Sequence, residues 1–283
     1  MTDTVTTAGA DGSLRKGLLP FAMDAADAEA LRRAHRHLEH PSLAARLSSA
    51  VGTPIEIAMT LMPKAWFAVV QRAAEVAIAK ALDAAASSLR RKHERSAQEL
   101  MYKGLAAGSG GLGGFFGLPG LIVELPVTTT IMLRSIAEIA RDEGEDIHDE
   151  DTQLACVQVF ALGGRSETDD AAETGYYGVR LALASYMSAA ITQVAKHGMA
   201  AQGAPAVVQL IRAIATRFGT EVSRRAAIQL LPLIGAAGGA VGNTIFMQHF
   251  QDMARSHFTV RRLERKYGEQ LVRANYEMLN TVD

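Results

Sequence analysis

Wherever this chain of 283 residues is regular, its apolar residues recur three or four positions apart, and no run alternates polar with apolar residues long enough to argue for a strand. From Lys64 to Arg90, Trp66, Val69, Val70, Ala73, Ala77 and Ala81 fall on one side, while Arg72, Glu75 and Asp83 fall on another. Hydrophobic residues make up 48% of the chain but aromatics only 6%, and the bulk is Ala, Leu, Val and Ile, a mixture suited to packed helices. The expected fold class is all-α: a multi-helix globular domain with enough chain to bury a sizeable core.

Local signals place the helix ends. Asp27 is expected to cap a helix through about Glu39, which Pro41 ends. Thr53, Pro54 and Glu56 supply an N-cap, a proline for the first helical position and a capping-box acid, and Pro63 should break or kink the chain beyond this start. Ser96 and Glu99 form a second capping box. Pro205 starts a helix with Val207, Ile211, Ile214 and Phe218 on one stripe, and Gly219 is expected to end it. The last helix carries Leu263, Tyr267, Leu271, Ala274 and Met278 inward, with Arg265, Glu269 and Arg273 as exposed i,i+4 pairs. Residues 1–18 hold Asp3 and no apolar run, so they read as a disordered N-terminal tail rather than a secretory signal, and residues 19–283 as one cytoplasmic domain.

Charge removes one class of function. A net charge of −1 leaves no electrostatic case for nonspecific nucleic-acid binding. The charges are nevertheless clustered, basic at "LRRKHER" (89–95) and "VRRLERK" (260–266), acidic between Arg141 and Glu173, so the molecule reads as polarised. The acidic stretch lacks the glycine and final glutamate spacing of a calcium loop and reads as solvated. A single cysteine, Cys156, excludes an internal disulfide and, within "LACVQVF", reads as a buried inert thiol.

Two octets set their glycines in one frame: "GGLGGFFG" with Gly110, Gly113, Gly114 and Gly117, and "GAAGGAVG" with Gly235, Gly238, Gly239 and Gly242. In a helix each set falls at i, i+3, i+4 and i+7 and makes a smooth face, so the fold is expected to hold two pseudo-repeated glycine-faced helical segments. Four helical glycines cost roughly 3–4 kcal/mol per copy unless something approaches the bare backbone. The faces suit helix packing in a core, or a hairpin inserted in or laid against a membrane; a phosphate loop would need a Gly-Lys-Ser/Thr ending that neither has. The uncharged runs Gly104 to Val123 and Ala226 to Gln251 are near bilayer length, but Pro119, Pro232 and many glycines make them poor spans.

Polar residues in apolar surroundings are the candidates for chemistry. Glu124 stands alone among the charges between Lys103 and Arg134, so it must be paired, neutral or at the surface. Glu173, Tyr176, Tyr177 and Arg180 would share one helical face, either a hydrogen-bonded network or a possible binding face for a headgroup or peptide. His249 and His257 sit about 12 Å apart along a helix, too far for one metal, and no cofactor or metal motif is present. Glu124, Glu173 and His249 are the least implausible catalytic groups. Arg224 and Arg225 precede the second uncharged run and are the expected contacts with an anionic membrane surface.

Five segments, "GSGGLGGFFGLPG", "LRSIAEIARDEG", "DDAAETGYYGVR", "RFGTEVSRRAAIQLLPLIGAAGGAVGN" and "HFTVRRLERKYG", resemble the EcsC family of bacterial proteins, collinearly from about residue 19 to the end. The family is named after a gene beside those of an ABC transporter, and the resemblance supplies no catalytic residues. It implies a non-enzymatic accessory protein, cytoplasmic or peripheral on the inner face of the cell membrane, linked to ABC transport or envelope processes. A hydrolase acting on a lipid or peptide, and a soluble lipid-binding carrier, are the alternatives.

Overall fold

The computed structural model describes residues 23–40, 43–52, 54–90, 117–162, 175–197, 204–228 and 235–280. They form helices α1 (Ala25–Glu39), α2 (Leu43–Val51), α3 (Ile55–Thr60), α4 (Lys64–Arg90), α5 (Gly117–Asp142), α6 (Glu150–Leu162), α7 (Tyr176–His197), α8 (Pro205–Ile228), α9 (Gly235–Tyr267) and α10 (Glu269–Leu279), with no strand among the described residues. Helix α6 explains the layout. From Leu154 to Leu162 every residue is buried, so this helix has no solvent face and must be surrounded; α5, α7, α8 and α9 pack on it. Helix α9, 33 residues and about 50 Å long, also touches α1, α2 and α10, while α4 packs on α5 and α8. Where α6, α8 and α9 meet, Phe160 lies 4.9 Å from Phe218 and 5.4 Å from Phe250 between ring centroids, and Phe246 lies 5.0 Å from Phe250. These tilted and edge-on rings account for much of the large-residue core.

Several helix ends differ from the sequence expectation, each for a nonlocal reason. Gly219 does not end α8, which runs on to Ile228. It is buried, and a Cβ built there would stand 2.5 Å from the Gln71 side-chain amide, so the glycine lets α4 approach α8. The last helix is two helices. Gly268, at φ +88°, breaks it after Tyr267 and resets the buried face to Val272, Asn275 and Tyr276. The expected exposed pairs dissolve accordingly: Arg265 reaches Glu145 and Arg273 reaches Glu277. Val69, expected on the core side of α4, is 39% exposed, and Ala74 and Ile78 complete the buried stripe instead. Helix α1 begins beyond Asp24, so Asp27 sits in its first turn rather than capping it. Pro54 takes the N-cap position of α3, and the Ile55 N–H donates to Ser48 Oγ at 3.0 Å.

Among the described residues, the acidic and basic clusters are not separate poles. Arg261 donates to Glu145 at 2.8 Å and to Asp151 at 2.9 Å; Arg262 donates to Glu143 at 2.8 Å and to Asp27 at 3.2 Å. Lys266 adds a 2.7 Å bond to Asp27, and with Tyr267 and Arg262 holds that carboxyl down at about 2. The acidic loop and the basic end of α9 therefore neutralise one another. No helix among the described residues is long and apolar enough to cross a membrane. The tail assigned to residues 1–18, Thr53, the Ser96–Glu99 capping box and most of "LRRKHER" lie outside the described residues.

Candidate functional site: two buried polar clusters

The first cluster joins α5 to α8. Glu124 accepts a 2.6 Å bond from Arg225, both side chains being 4% and 3% exposed, and the Thr128 hydroxyl donates to the same carboxylate oxygen at 3.2 Å. The Arg225 guanidinium also lies over the Phe246 ring, 5.4 Å from its centroid. The lone carboxylate of the uncharged run is thus neutralised by an arginine 101 residues away. Arg225 is buried and cannot present its charge to a lipid surface, which corrects its expected membrane role. Arg224 is part-exposed and bonds back to Glu221, one turn earlier. Glu221 itself is fully buried; burial pushes its carboxyl up to about 7, against the pull of Arg224. Sequence reasoning missed Glu221. The signal was available: Arg217, Glu221 and Arg225 recur every four residues, and all three are buried beside the apolar stripe of α8.

The second cluster gathers around the start of α7. Gly175 lacks the Cβ that would stand 3.3 Å from Glu39, so the carboxylate reaches the helix start and accepts the Tyr176 N–H at 3.1 Å. Glu39 also accepts the Tyr276 hydroxyl at 2.8 Å, tying the end of α1 to α7 and α10. Arg180 can only donate, and gives bonds to Tyr176 Oη at 3.2 Å and to Glu264 at 2.6 Å. The Tyr176 hydroxyl also shares a 2.9 Å hydrogen bond with His257 Nδ1. Tyr177 donates to Glu264 at 2.9 Å, and Arg180 lies over both rings, 5.4 Å from that of Tyr176 and 5.3 Å from that of Tyr177. Burial pushes all three tyrosines above their usual range and His257 well below its own, so the phenols stay protonated and the imidazole neutral.

Three of the four residues expected on one face, Tyr176, Tyr177 and Arg180, do come together. Their polar atoms, however, are engaged by Glu264, His257 and Glu39, none of which the sequence spacing connects to them. Glu173 lies outside the described residues, as do Gly110, Gly113 and Gly114. Gly117 opens α5, and Gly235, Gly238, Gly239 and Gly242 fall in the first two turns or so of α9. Gly242 is buried against Ile228, whose Cδ1 would be 3.4 Å from an added Cβ, an ordinary van der Waals distance. His249 is buried on α9 beside Phe250. Among the described residues no group of three or more His, Cys, Asp or Glu is placed to hold a metal ion.

The model of the EcsC protein family matches residues 26–263, which cover the first cluster and all of the second except Glu264 and Tyr276. The chain belongs to the EcsC family. Neither curated proteins nor solved structures gave a match to this EcsC chain. The match runs from the first turn of α1 to Leu263 in α9, so Glu39, Glu124, Tyr176, Arg180, Arg225 and His257 all lie inside the family's extent.

Proposed function

We propose that this EcsC-family protein is a non-enzymatic accessory protein that attaches peripherally to the inner face of the cell membrane and serves ABC transport or another envelope process. One observation carries the attachment. At the α3–α4 corner, Ile57 and Leu61 are 54% and 59% exposed, Phe67 is 39% exposed, and Lys64 lies between them at the surface. Ile57 and Leu61 are four residues apart and share a face. Half-exposed side chains of this size each gain about 1 kcal/mol when covered by an acyl boundary, while the attraction of Lys64 to an anionic surface is offset by the exposed Glu56 on α3. The sum, about 3 kcal/mol, fits reversible attachment rather than insertion. This corner replaces Arg224 and Arg225 as the proposed contact, because Arg225 is held inside by Glu124. The transport link rests on the family resemblance.

Cosedimentation with phosphatidylglycerol vesicles tests the attachment. The wild type is expected to bind at low salt, and Ile57→Asp with Leu61→Asp, both at exposed positions, to bind at least thirtyfold more weakly. Absence of wild-type binding, or equal binding by the double variant, would reject it.

A further inference from the structure

The α3–α4 corner carries no net charge of its own, because the exposed Lys64 and Glu56 offset one another. One short helix away, cations are concentrated. Arg33, Arg36 and His37 are exposed on one face of α1, at i, i+3 and i+4. His37 Nδ1 shares a 3.5 Å bond with Ser256 Oγ, which places that face beside α9. One turn back along α9, Asp252 accepts from two arginines at once, Arg46 of α2 at 2.9 Å and Arg255 of α9 itself at 3.1 Å. The three helices thus present their cations on neighbouring turns as one ridge.

The acids around the ridge leave it charged. Glu29 is held by Arg32 at 3.0 Å, and Glu39 is turned inward to the Tyr176 N–H and the Tyr276 hydroxyl. Toward the start of α1, Asp24 and Asp27 are bonded by Lys266. Helix α2 has no acidic residue. On the far side of α9, Glu143 is taken by Arg262, and the exposed Glu138 and Asp142 of α5 are matched in number by Arg134 and Arg141. Arg33, Arg36, Arg46 and Arg255 set against Asp252 leave a net three positive charges, on a chain whose total is −1.

Guanidinium groups donate in pairs to phosphate oxygens. Neither α1 nor α2 contains Phe, Tyr or Trp, so the ridge offers no platform on which nucleic-acid bases could stack. Its position favours a bilayer. Helix α2, nine residues and about 13 Å long, leads from the ridge to α3, where the Ile55 N–H donates to Ser48 Oγ at 3.0 Å. An anionic bilayer supplies phosphate for the ridge and apolar depth for Ile57 and Leu61 at that spacing.

We infer that Arg33, Arg36, Arg46 and Arg255 bind the phosphodiester headgroups of an anionic bilayer and set the preference for anionic lipid, while the α3–α4 corner meets its acyl boundary. The inference rests on the membrane attachment proposed above. Cosedimentation of the full chain with phosphatidylglycerol vesicles and with phosphatidylcholine vesicles, at low salt, tests it. The wild type prefers phosphatidylglycerol. Arg33→Gln with Arg36→Gln, both at exposed positions, weakens that binding about twentyfold and leaves the thermal unfolding midpoint unchanged. Equal binding of the wild type to the two kinds of vesicle, or phosphatidylglycerol binding unaffected by the double variant, overturns the inference and leaves the corner as the whole contact. No binding to either vesicle overturns the attachment along with it. Release of vesicle-bound protein by an equal charge of duplex DNA assigns the ridge to nucleic acid and overturns the inference too.

Discussion

Glu221 is a carboxyl whose ionisation the fold resists, and the resistance can be measured. It is fully buried on α8 with Arg224 as its ionic partner, and burial still lifts it from the ordinary 4.5 to about 7. The sign comes from linkage. A carboxyl that ionises less readily in the native than in the unfolded chain leaves stability intact below about pH 4.5 and drains it as the pH rises to about 7, above which the loss is complete. Each pH unit between the two values is worth about 1.36 kcal/mol, so the full swing is about 3 kcal/mol. Glu221→Gln keeps the shape and removes the titration. Urea unfolding of both proteins across about pH 4.5 to 8 should show the variant gaining about 3 kcal/mol on the wild type from one end to the other. His257 titrates with the opposite sense: its depressed value gives stability that is present above the ordinary 6.5 and lost as the pH falls toward the native value. That contribution is common to both proteins and cancels in the difference. A difference that stays flat across the window, or that grows in favour of the wild type, would refute the reasoning.

Two further substitutions probe the packing around the same helix. Arg225→Met leaves the buried Glu124 carboxylate without its ionic partner and should cost about 3–5 kcal/mol in urea unfolding, most of it recovered by adding Glu124→Leu; a single variant within about 1 kcal/mol of wild type would show the pair to be dispensable. Gly219→Ala drives a Cβ into the Gln71 amide and should destabilise by about 1–3 kcal/mol, whereas in a Gln71→Ala background it becomes neutral or stabilising by up to about 1 kcal/mol, a coupling that a double-mutant cycle reads directly.

The functional groups were legible in proportion to how local their reasons are. Glu124 was visible as a solitary charge, because burying a carboxylate alone costs too much in any fold; that its partner is Arg225 was not visible, since 101 residues of chain separate them. The helical spacing of Tyr176, Tyr177 and Arg180 brought those three together correctly. It said nothing of Glu39, His257 and Glu264, which reach them from α1 and α9. Arg224 and Arg225 are adjacent in sequence, yet one is part-exposed and the other buried, because successive residues on a helix point about 100° apart.

The all-helical character was determined by the sequence alone, because a period of three to four residues is written into each segment and needs no neighbour to be read. So were several boundaries that a proline enforces by its missing N–H, such as the starts of α4 after Pro63 and of α8 at Pro205. The meaning of the glycines was decided only by the tertiary structure. Gly268 breaks a helix and Gly219 continues one, since the residue permits both a left-handed turn and a close approach, and only the neighbouring helix distinguishes them. The same holds for charge: the acidic loop and the basic end of α9 are separate clusters along the chain and a single ion-paired network in space. Pairing energies depend on distances that folding creates.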